Sequence, residues 1–532
     1  MKTFVMLFVF ALALTACDDS GEIPPGSEGG ACLTGDLCNG DLVCMEGVCH
    51  QESASCGNGL LEEGEECEAA IADERTCEEY GYSGGALGCA PDCTLDFSEC
   101  TEGCGNGVID PGEECDGDAI GDTTCESLGH RGGNLRCTID CTYNEASCMP
   151  QLARINTNVD ILFVIDNSYS MQEEQALLRS NFSTLLTTLR AGIGYLPNVH
   201  IGVTTTDLGS GFYSIPSCEG GEMGQLVKGS GNSCNNPLNQ MYLVDVDPNG
   251  CSITRDASGM CVETDCEQAN CDADAFLDGD GNPTEPNGLL LATDDKGCPR
   301  CVNYSGESID AVFSCMADIG VGGCGFEQPM EAMHAALTAG HASNDGFVRE
   351  TAYLAVILVT DEDDCSVQDD ALFDPAIMVP PLNSFRCTLG GVACAEAWAT
   401  LDSTDVDTVD FSACVSADTG SATHDWLHHL DRYTQVIAQV KGSAALATVA
   451  AVAGPYNGQL SVDKDEQGMW RLAPSCTSSQ GGEAYPAVRI KELVSYYNAP
   501  EQMDWAFTPI CATDYAPVLS GVGGRVVGVM GY

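Results

Sequence analysis

Apolar and amphipathic segments alternate along the chain from Asn158 onward. Residues 159–165 (VDILFVI) form a nearly continuous apolar run, which is typical of a strand buried on both faces of a parallel sheet. Residues 172–190 instead place apolar side chains on one helical stripe. The pattern predicts strands at 159–165, 199–206, 353–360 and 445–453, and helices at 172–190, 305–318, 328–341, 424–441 and 486–498. This alternation predicts an α/β fold with a doubly wound, mostly parallel sheet and helices on both faces.

The first residues follow another pattern. Lys2 precedes an unbroken apolar run at 4–14, which is too short to span a bilayer. We therefore expect residues 1–16 to be a secretory signal peptide. The sequence LTAC, which ends at Cys17, resembles a bacterial lipobox, and this implies that Cys17 carries lipid; a plain cleaved signal is the alternative. Residues 17–31 predict a lipid anchor and flexible tether.

Cysteines dominate the next segment, and the chain has 33 of them. So many thiols indicate an oxidising compartment. Residues 32–55 form a small four-cysteine module, and residues 56–103 and 104–150 are two repeats in which CGNGLLEEGEEC recurs as CGNGVIDPGEEC. The repeats resemble the myxobacterial-type cysteine-rich repeats of secreted bacterial proteins. We expect disulfides, whose pairing stays open, to replace a core that such short units cannot build; zinc at Cys89-x₃-Cys93 is the competing interpretation.

Charge narrows the possible partners. The chain has 80 acidic and 20 basic residues, for a net charge of −60. Nucleic-acid binding needs basic side chains to neutralise phosphates, so this balance argues against it. It argues equally against a basic surface for anionic lipid, so that the only expected membrane contact is the lipid anchor.

Hydroxyl and carboxylate residues follow two predicted strands. The strand at 159–165 runs into Asp166-x-Ser168-x-Ser170, and the strand at 353–360 runs into Asp361. In parallel sheets, ligands bind at loops after the carboxyl ends of strands. Together these residues resemble the metal-ion-dependent adhesion site (MIDAS) of von Willebrand factor type A (vWA) domains, and the resemblance covers about residues 155–531.

The resemblance implies a divalent cation, Mg²⁺, Mn²⁺ or Ca²⁺, because hydroxyl and carboxylate oxygens suit hard cations. Ser168 and Ser170 would ligate it directly, and Asp166 and Asp361 would ligate it or its waters. The alternative is that a serine only caps the following helix. The chain departs from the family at residues 322–329, where the usual Thr is missing. Glu327 is the nearest oxygen donor there, either as a ligand or as a favourable charge at a helix N-terminus.

Two cysteine-containing insertions, at about 208–304 and 363–420, interrupt the main domain at 151–532. We expect the first to lie near the rim of the metal site and contribute to partner specificity, or to be only a stapled loop. Cys315 with Cys324, and Cys476 with Cys511, are candidate pairs. Two weaker metal candidates remain: Asp278-Gly-Asp280, which fits an acidic turn better than a calcium loop, and His424 with His428, which we place on the solvated face of a helix.

These features predict a lipoprotein that crosses the inner membrane and stays in the cell envelope, at the outer membrane or cell surface. Its vWA-like domain would bind a protein ligand, through a ligand carboxylate, at the divalent cation. One alternative is an assembly scaffold with a vestigial metal site. Another is a hydrolase that uses the acidic insertions. We expect no enzyme activity, because no catalytic constellation can be placed.

Overall fold

The apolar segments after Asn158 pair into one eight-stranded sheet. The strands are β1 Asn158–Ile165, β2 Asn198–Thr205, β3 Leu243–Val246, β4 Leu290–Thr293, β5 Pro299–Val302, β6 Tyr353–Val359, β7 Ala447–Ala453 and β8 Phe507–Pro509. Their order in the sheet is β4-β5-β3-β2-β1-β6-β7-β8. Strands β2, β1, β6, β7 and β8 are parallel neighbours, whereas β3, β4 and β5 are antiparallel. The mixed α/β fold with a mostly parallel sheet is therefore confirmed.

The chain divides into two units, Met1–Ala119 with Ile139–Thr142, and Ile120–Thr138 with Tyr143–Tyr532. The computed structural model describes separate stretches between residues 25 and 148, and most of residues 157–530, without 257, 273–284, 378–381, 404–405 and 418–425. The predicted signal peptide, Cys17 and most of the tether lie outside the described residues. No helix in the described part of the chain is long and apolar enough to cross a bilayer.

Helices cover both faces of the sheet. They are α1 Gln172–Ile193, α2 Ile309–Met316, α3 Pro329–Thr338, α4 Phe385–Gly391, α5 Asp431–Lys441, α6 Val488–Tyr497, α7 Met503–Ala506 and α8 Ala516–Met530. Alternate residues of β1 face two separate cores: Ile161, Phe163 and Ile165 pack with α1, α2 and α8, whereas Leu162 and Val164 pack with α3, α5 and α6. This alternation follows from the two-residue period of a strand.

The predicted helix at 424–441 begins too early. In the structure α5 starts at Asp431, and the segment before it is extended, because Leu427 bridges Val367 and the N–H of His428 donates to the Ser366 carbonyl. His428 is therefore half-buried on an extended segment, and not on the solvated face of a helix. His424 lies outside the described residues.

The first insertion has two parts with different positions. Its early part, near Cys218, is tied to the loop before α3 by the Cys218–Cys324 disulfide. Its later part adds β3, β4 and β5 beside β2, and this covers a sheet edge that would otherwise present unpaired backbone groups. Strand β3 pairs with Val199–Ile201, in the amino-terminal half of β2, so this part of the insertion does not lie at the carboxyl edge of the sheet, contrary to the expectation.

The second insertion joins a small core of its own. Its helix α4 and strand Thr408–Ser412 pack with Gln459–Lys464 and Trp470–Leu472 from outside the insertion. Trp398 lies at the centre of this cluster, 4.3 Å from Phe411 between ring centroids.

Disulfides occur in every part of the described chain, as expected. Cys315 and Cys324 are not bonded to each other, because each reaches back to the first insertion, whereas the predicted Cys476–Cys511 bridge is confirmed. Cys89 is bonded to Cys67 and Cys93 is also disulfide-bonded, so neither thiol is free for zinc. Further bridges between described residues include Cys32–Cys44, Cys38–Cys49, Cys125–Cys148, Cys261–Cys298, Cys271–Cys301, Cys365–Cys387 and Cys394–Cys414.

Short antiparallel ladders are the regular structure of the cysteine-rich modules. Leu42–Met45 pairs with Val48–Gln51 in the first module. Gly88–Cys89 pairs with Leu95–Asp96 in the first repeat, and Arg136–Cys137 pairs with Tyr143–Asn144 at the matching place of the second. The equivalent ladders indicate that the sequence repeat is also a structural repeat.

Candidate functional site

The two predicted halves of the site meet at one edge of the sheet. Strands β1 and β6 are parallel neighbours whose last residues, Ile165 and Val359, lie opposite each other. Asp166 follows β1, and its N–H donates to the Val359 carbonyl over 2.9 Å. Thr360 and Asp361 follow β6 directly. The carboxyl ends of these two strands therefore bring together residues that are far apart in sequence.

Hydrogen bonds hold Asp166 in one orientation. Its Oδ1 accepts from the Ser168 N–H over 2.6 Å, and its Oδ2 accepts from Thr360 Oγ1 over 2.9 Å. Gln175 Nε2 donates to the Asp166 carbonyl and to the Gly320 carbonyl, both over 2.9 Å, which ties the first turn of α1 to the loop. Asp166 has no exposed surface.

Ser168 and Ser170 turn towards each other and do not cap a helix. Their Oγ atoms are 3.1 Å apart, and neither makes a side-chain cap hydrogen bond at the start of the Tyr169–Met171 turn or of α1. Ser170 also hydrogen-bonds the Asp361 carboxylate and thereby opposes the rise of its pKa. The helix-capping alternative for the two serines is therefore wrong, and both hydroxyls lie with Asp166 and Asp361.

Glu327 joins this group from the loop before α3. Only 2% of its surface is exposed, and its Oε2 is buried without a hydrogen-bond partner. The first N–H groups of α3 donate instead to Asp364 Oδ1 over 3.0 Å and to Ser366 Oγ over 2.8 Å. Other side chains therefore cap the helix, and both interpretations of Glu327, as a ligand or as a favourable charge at the N-terminus of α3, stay predictions.

The loop that lacks the expected Thr is closely packed. The Gly323 N–H donates to the Asn167 carbonyl over 2.8 Å, and a Cβ atom at Gly323 would lie 2.1 Å from Asn167 Oδ1. No larger residue fits at this position without a shift. The next residue, Cys324, donates its N–H to Asp207 Oδ2 over 3.1 Å.

Burial sets the electrostatics of the site. Burial, and then the charge of Asp361, raises the pKa of Asp166 well above its usual range. Burial raises the pKa of Asp361 to about 6 and that of Glu362 to about 7. The pKa of Glu327 is raised by burial first and then by Glu362, Asp166 and Asp361. Burial therefore makes the ionisation of all four carboxyl groups costly, and the negative charge of Asp361 adds to the cost for Asp166, Glu327 and Glu362.

A cation would offset this cost. Within the described ranges, no Lys, Arg or His forms an ion pair with any of these four carboxylates. Asp361 Oδ1 and Glu327 Oε2 are buried acceptors without donors, an arrangement that costs free energy unless a proton or a cation meets them. Carboxylate and hydroxyl oxygens are the donors that hard divalent cations prefer. The residues present therefore fit such an ion.

Some residues of this edge were not among the predicted ligands. Glu362 lies next to Asp361 in the loop after β6, so its position in the sequence could have identified it as a candidate ligand. Thr206 follows β2, the third neighbouring strand, and its buried Oγ1 has no hydrogen-bond partner. The carboxyl end of β2 was thus a further place to search for oxygen donors.

The weaker metal candidates gain no support. The Asp278-Gly-Asp280 segment and His424 lie outside the described residues. Burial lowers the pKa of His428, whose described neighbours include Glu331 and Arg432.

A scan of protein-family models finds no match for this chain, and a search of curated proteins finds none either. What the fold and site define is therefore a disulfide-rich chain with a mixed α/β domain, in which oxygen donors converge at the carboxyl edge of a mostly parallel sheet.

Proposed function

We propose that this protein is a cell-envelope lipoprotein whose vWA-like domain binds a protein ligand through a divalent cation at a MIDAS-like site. One observation carries the proposal: the carboxylates of Asp166, Glu327 and Asp361 converge at one edge of the sheet, are buried and have no basic partner in the described chain. Ser168 and Ser170 add two hydroxyls to this group. The lipid anchor rests on the sequence at Cys17 alone.

The exposed side of the site supports access by a ligand. Tyr169 is 88% exposed and Ser170 is exposed, although Ser168 and Asp361 are buried. A cation held between them would be reached across Ser170. A carboxylate of a partner protein is the chemical group that would complete its coordination.

Glu327 bears on the choice of cation. If its carboxylate joins Asp166 and Asp361, the added negative charge weakens attraction for an outside carboxylate and favours Ca²⁺, which accepts more oxygen ligands than Mg²⁺. Because Asp166, Glu327, Asp361 and Glu362 place four carboxylates at this edge, Ca²⁺ has to be tested beside Mg²⁺ and Mn²⁺ in any metal titration.

Metal-dependent thermal stability tests the proposal. The metal-free full chain is titrated with Mg²⁺, Mn²⁺ or Ca²⁺, and we expect the melting temperature of the wild type to rise, because an ion that binds only the folded state stabilises it. Asp166→Asn should abolish that rise. Asp364→Asn is the matched control, because Asp364 is also buried but pairs with Arg489 over 3.3 Å and caps α3. It should lower stability and keep the response to metal.

A scaffold with a vestigial site gives a different result. In that case no cation shifts the melting temperature of the wild type, and capture of envelope proteins by the immobilised chain is the same with and without chelator. The proposed function requires that capture be lost in chelator, restored by the stabilising cation, and absent for Asp166→Asn.

A further inference from the structure

A second acidic feature lies beside the first two turns of α1. A cavity of about 340 Å³ is bounded by α1, by the loop 478–480 and by the segment 510–515 before α8. We call it the acidic cavity, because Glu173 and Glu174 both line it. It shares no residue with the proposed cation site, so its ligand need not be the same.

Glu174 is the unusual member of this cavity. Acidic residues are common in the first turn of a helix, where the helix dipole favours them, but they are normally solvated. Glu174 is only 5% exposed, and its Oε2 is buried without a hydrogen-bond partner. A buried carboxylate oxygen without a donor is costly, which indicates that a hydrogen-bond donor or a positive charge is missing from its surroundings.

Glu173 lies beside it and faces the same loop. A Cβ atom added to Gly482 would lie 3.2 Å from Glu173 Oε1, 3.2 Å from Ser478 Oγ and 3.4 Å from Glu174 Oε1, so both carboxylates border the loop that carries Ser478. In the described part of the chain, neither carboxylate forms an ion pair with Lys, Arg or His. Burial, and then the neighbouring charges of Glu173 and Asp361, raises the pKa of Glu174 to about 7.

The rest of the cavity wall is rigid and partly apolar. The Cys476–Cys511 disulfide joins the hairpin that carries loop 478–480 to the segment before α8. Tyr515 Oη donates to the Ile510 carbonyl over 2.7 Å and holds that segment. Leu177 and Ile510 supply apolar surface beside the carboxylates. An apolar wall next to two acids suits an alkyl stem that ends in a charged group better than a bare metal ion.

We propose that the acidic cavity binds an organic cation, a guanidinium or primary ammonium group on an alkyl stem, whose charged end is held between Glu173 and Glu174. The group belongs either to a basic side chain of a partner protein or to a free small amine or guanidine. Both sources have the same chemistry at the carboxylates.

Isothermal titration calorimetry of the full chain tests this proposal with n-butylguanidine, n-butylamine and the neutral n-butylurea, each in chelator and again in saturating Mg²⁺. We expect the two cations to bind at one site and the urea not to bind, in both conditions. Glu174→Gln should weaken binding of n-butylguanidine about tenfold or more, because a hydrogen bond to a charged group is lost. Gly482→Ala should also weaken it, because its methyl group enters the space between the carboxylates.

Glu501→Gln is the matched control, since Glu501 is exposed and does not line the cavity; it should bind n-butylguanidine as the wild type does. A blocked Gly-Arg-Gly peptide distinguishes the sources: binding equal to that of n-butylguanidine supports a partner side chain, and binding of the small cation alone supports a free ligand. Equal binding of n-butylurea, or no binding of any probe by a correctly folded wild type, overturns the proposal, and the two glutamates then merely share a proton. Binding in chelator separates this outcome from failure of the metal site.

Discussion

Asp361→Asn should remove a loss of folding stability that the metal-free wild type suffers as pH rises. Asp361 is 4% exposed, and its Oδ1 has no hydrogen-bond partner. Burial raises its pKa from 3.8 to about 6, although a hydrogen bond from Ser170 lowers it in part. The isosteric amide keeps the shape of the side chain and removes the titration.

The sign follows from proton binding. Between pH 4 and pH 6 the unfolded chain has lost the Asp361 proton while the folded state retains it, so the free energy of unfolding falls as pH rises through this window. Each pKa unit corresponds to about 1.4 kcal/mol, so a rise of about two units costs the wild type about 3 kcal/mol above pH 6. Part of this cost is already present at pH 4, which lies above the ordinary pKa of 3.8, so relative to the wild type Asp361→Asn should gain about 2.5 kcal/mol between pH 4 and pH 7.

Urea denaturation monitored by tryptophan fluorescence measures this difference, with disulfides intact and divalent cations removed. All four tryptophans, Trp398, Trp426, Trp470 and Trp505, lie in the α/β part of the chain, so the signal reports its unfolding and not that of the cysteine-rich modules. The comparison of variant with wild type at each pH removes the effect of the acidic groups that Asp361 does not influence. The charge of Asp361 also raises the pKa of Asp166, Glu327 and Glu362, so its removal eases their ionisation and adds to the gain of the variant as pH rises.

A stability difference that is the same at pH 4 and pH 7, within about 0.5 kcal/mol, would show that Asp361 titrates with its ordinary pKa and is not destabilised by burial. Added cation gives a second check. At a cation concentration about a hundred times its dissociation constant, the wild type at pH 7 should gain about 2.7 kcal/mol, and Asp361→Asn should gain clearly less.

Two further predictions concern stability away from this edge. Arg349→Met should lower the free energy of unfolding by about 3–5 kcal/mol, since it leaves the fully buried Asp160, 2.8 Å from Arg349 Nη2, without its main partner. Arg471→Met, which breaks the partly exposed ion pair with Asp463, is the control and should change the free energy of unfolding by less than about 1 kcal/mol. Equal effects of the two substitutions in urea denaturation would show that burial does not make the Arg349–Asp160 pair more important for stability. Replacing Cys476 and Cys511 by Ser should lower the free energy of unfolding by about 2–4 kcal/mol, because the bridge closes a loop between residues 35 apart, and an unchanged urea midpoint would show that the bridge restricts nothing.

The residues of the candidate site could be predicted from the sequence, but the burial of their carboxylates without a basic partner could not. Asp166, Ser168, Ser170 and Asp361 follow apolar strands, and the carboxyl ends of neighbouring parallel strands meet at one edge. Burial of these carboxylates without a basic partner depends on what the insertions and loops place around them. The closely packed Gly323 loop and the burial that raises the pKa of Glu362 therefore became evident only in three dimensions.

Helix α8 shows why some elements escape a sequence pattern. Ala516–Met530 contains four glycines, which disfavour a helix, and no helix is predicted there. The structure explains two of them by close approach: a Cβ atom at Gly521 would lie 2.4 Å from Trp505, and one at Gly523 would lie 2.9 Å from Thr188 of α1. Packing against α1 and α7 therefore overrides the low intrinsic helix propensity.

Local periodicity alone determined the alternation of strands and helices, and hence the α/β class. A buried strand, or the buried face of a helix, produces a pattern of apolar residues within one short segment, so it can be recognised without the rest of the chain. It also determined which strand ends carry oxygen donors. Tertiary structure alone decided the partners of Cys315 and Cys324, the addition of β3–β5 to the sheet edge and the environment of Glu327. These features depend on contacts between residues far apart in the chain, and neither spacing nor period encodes such contacts.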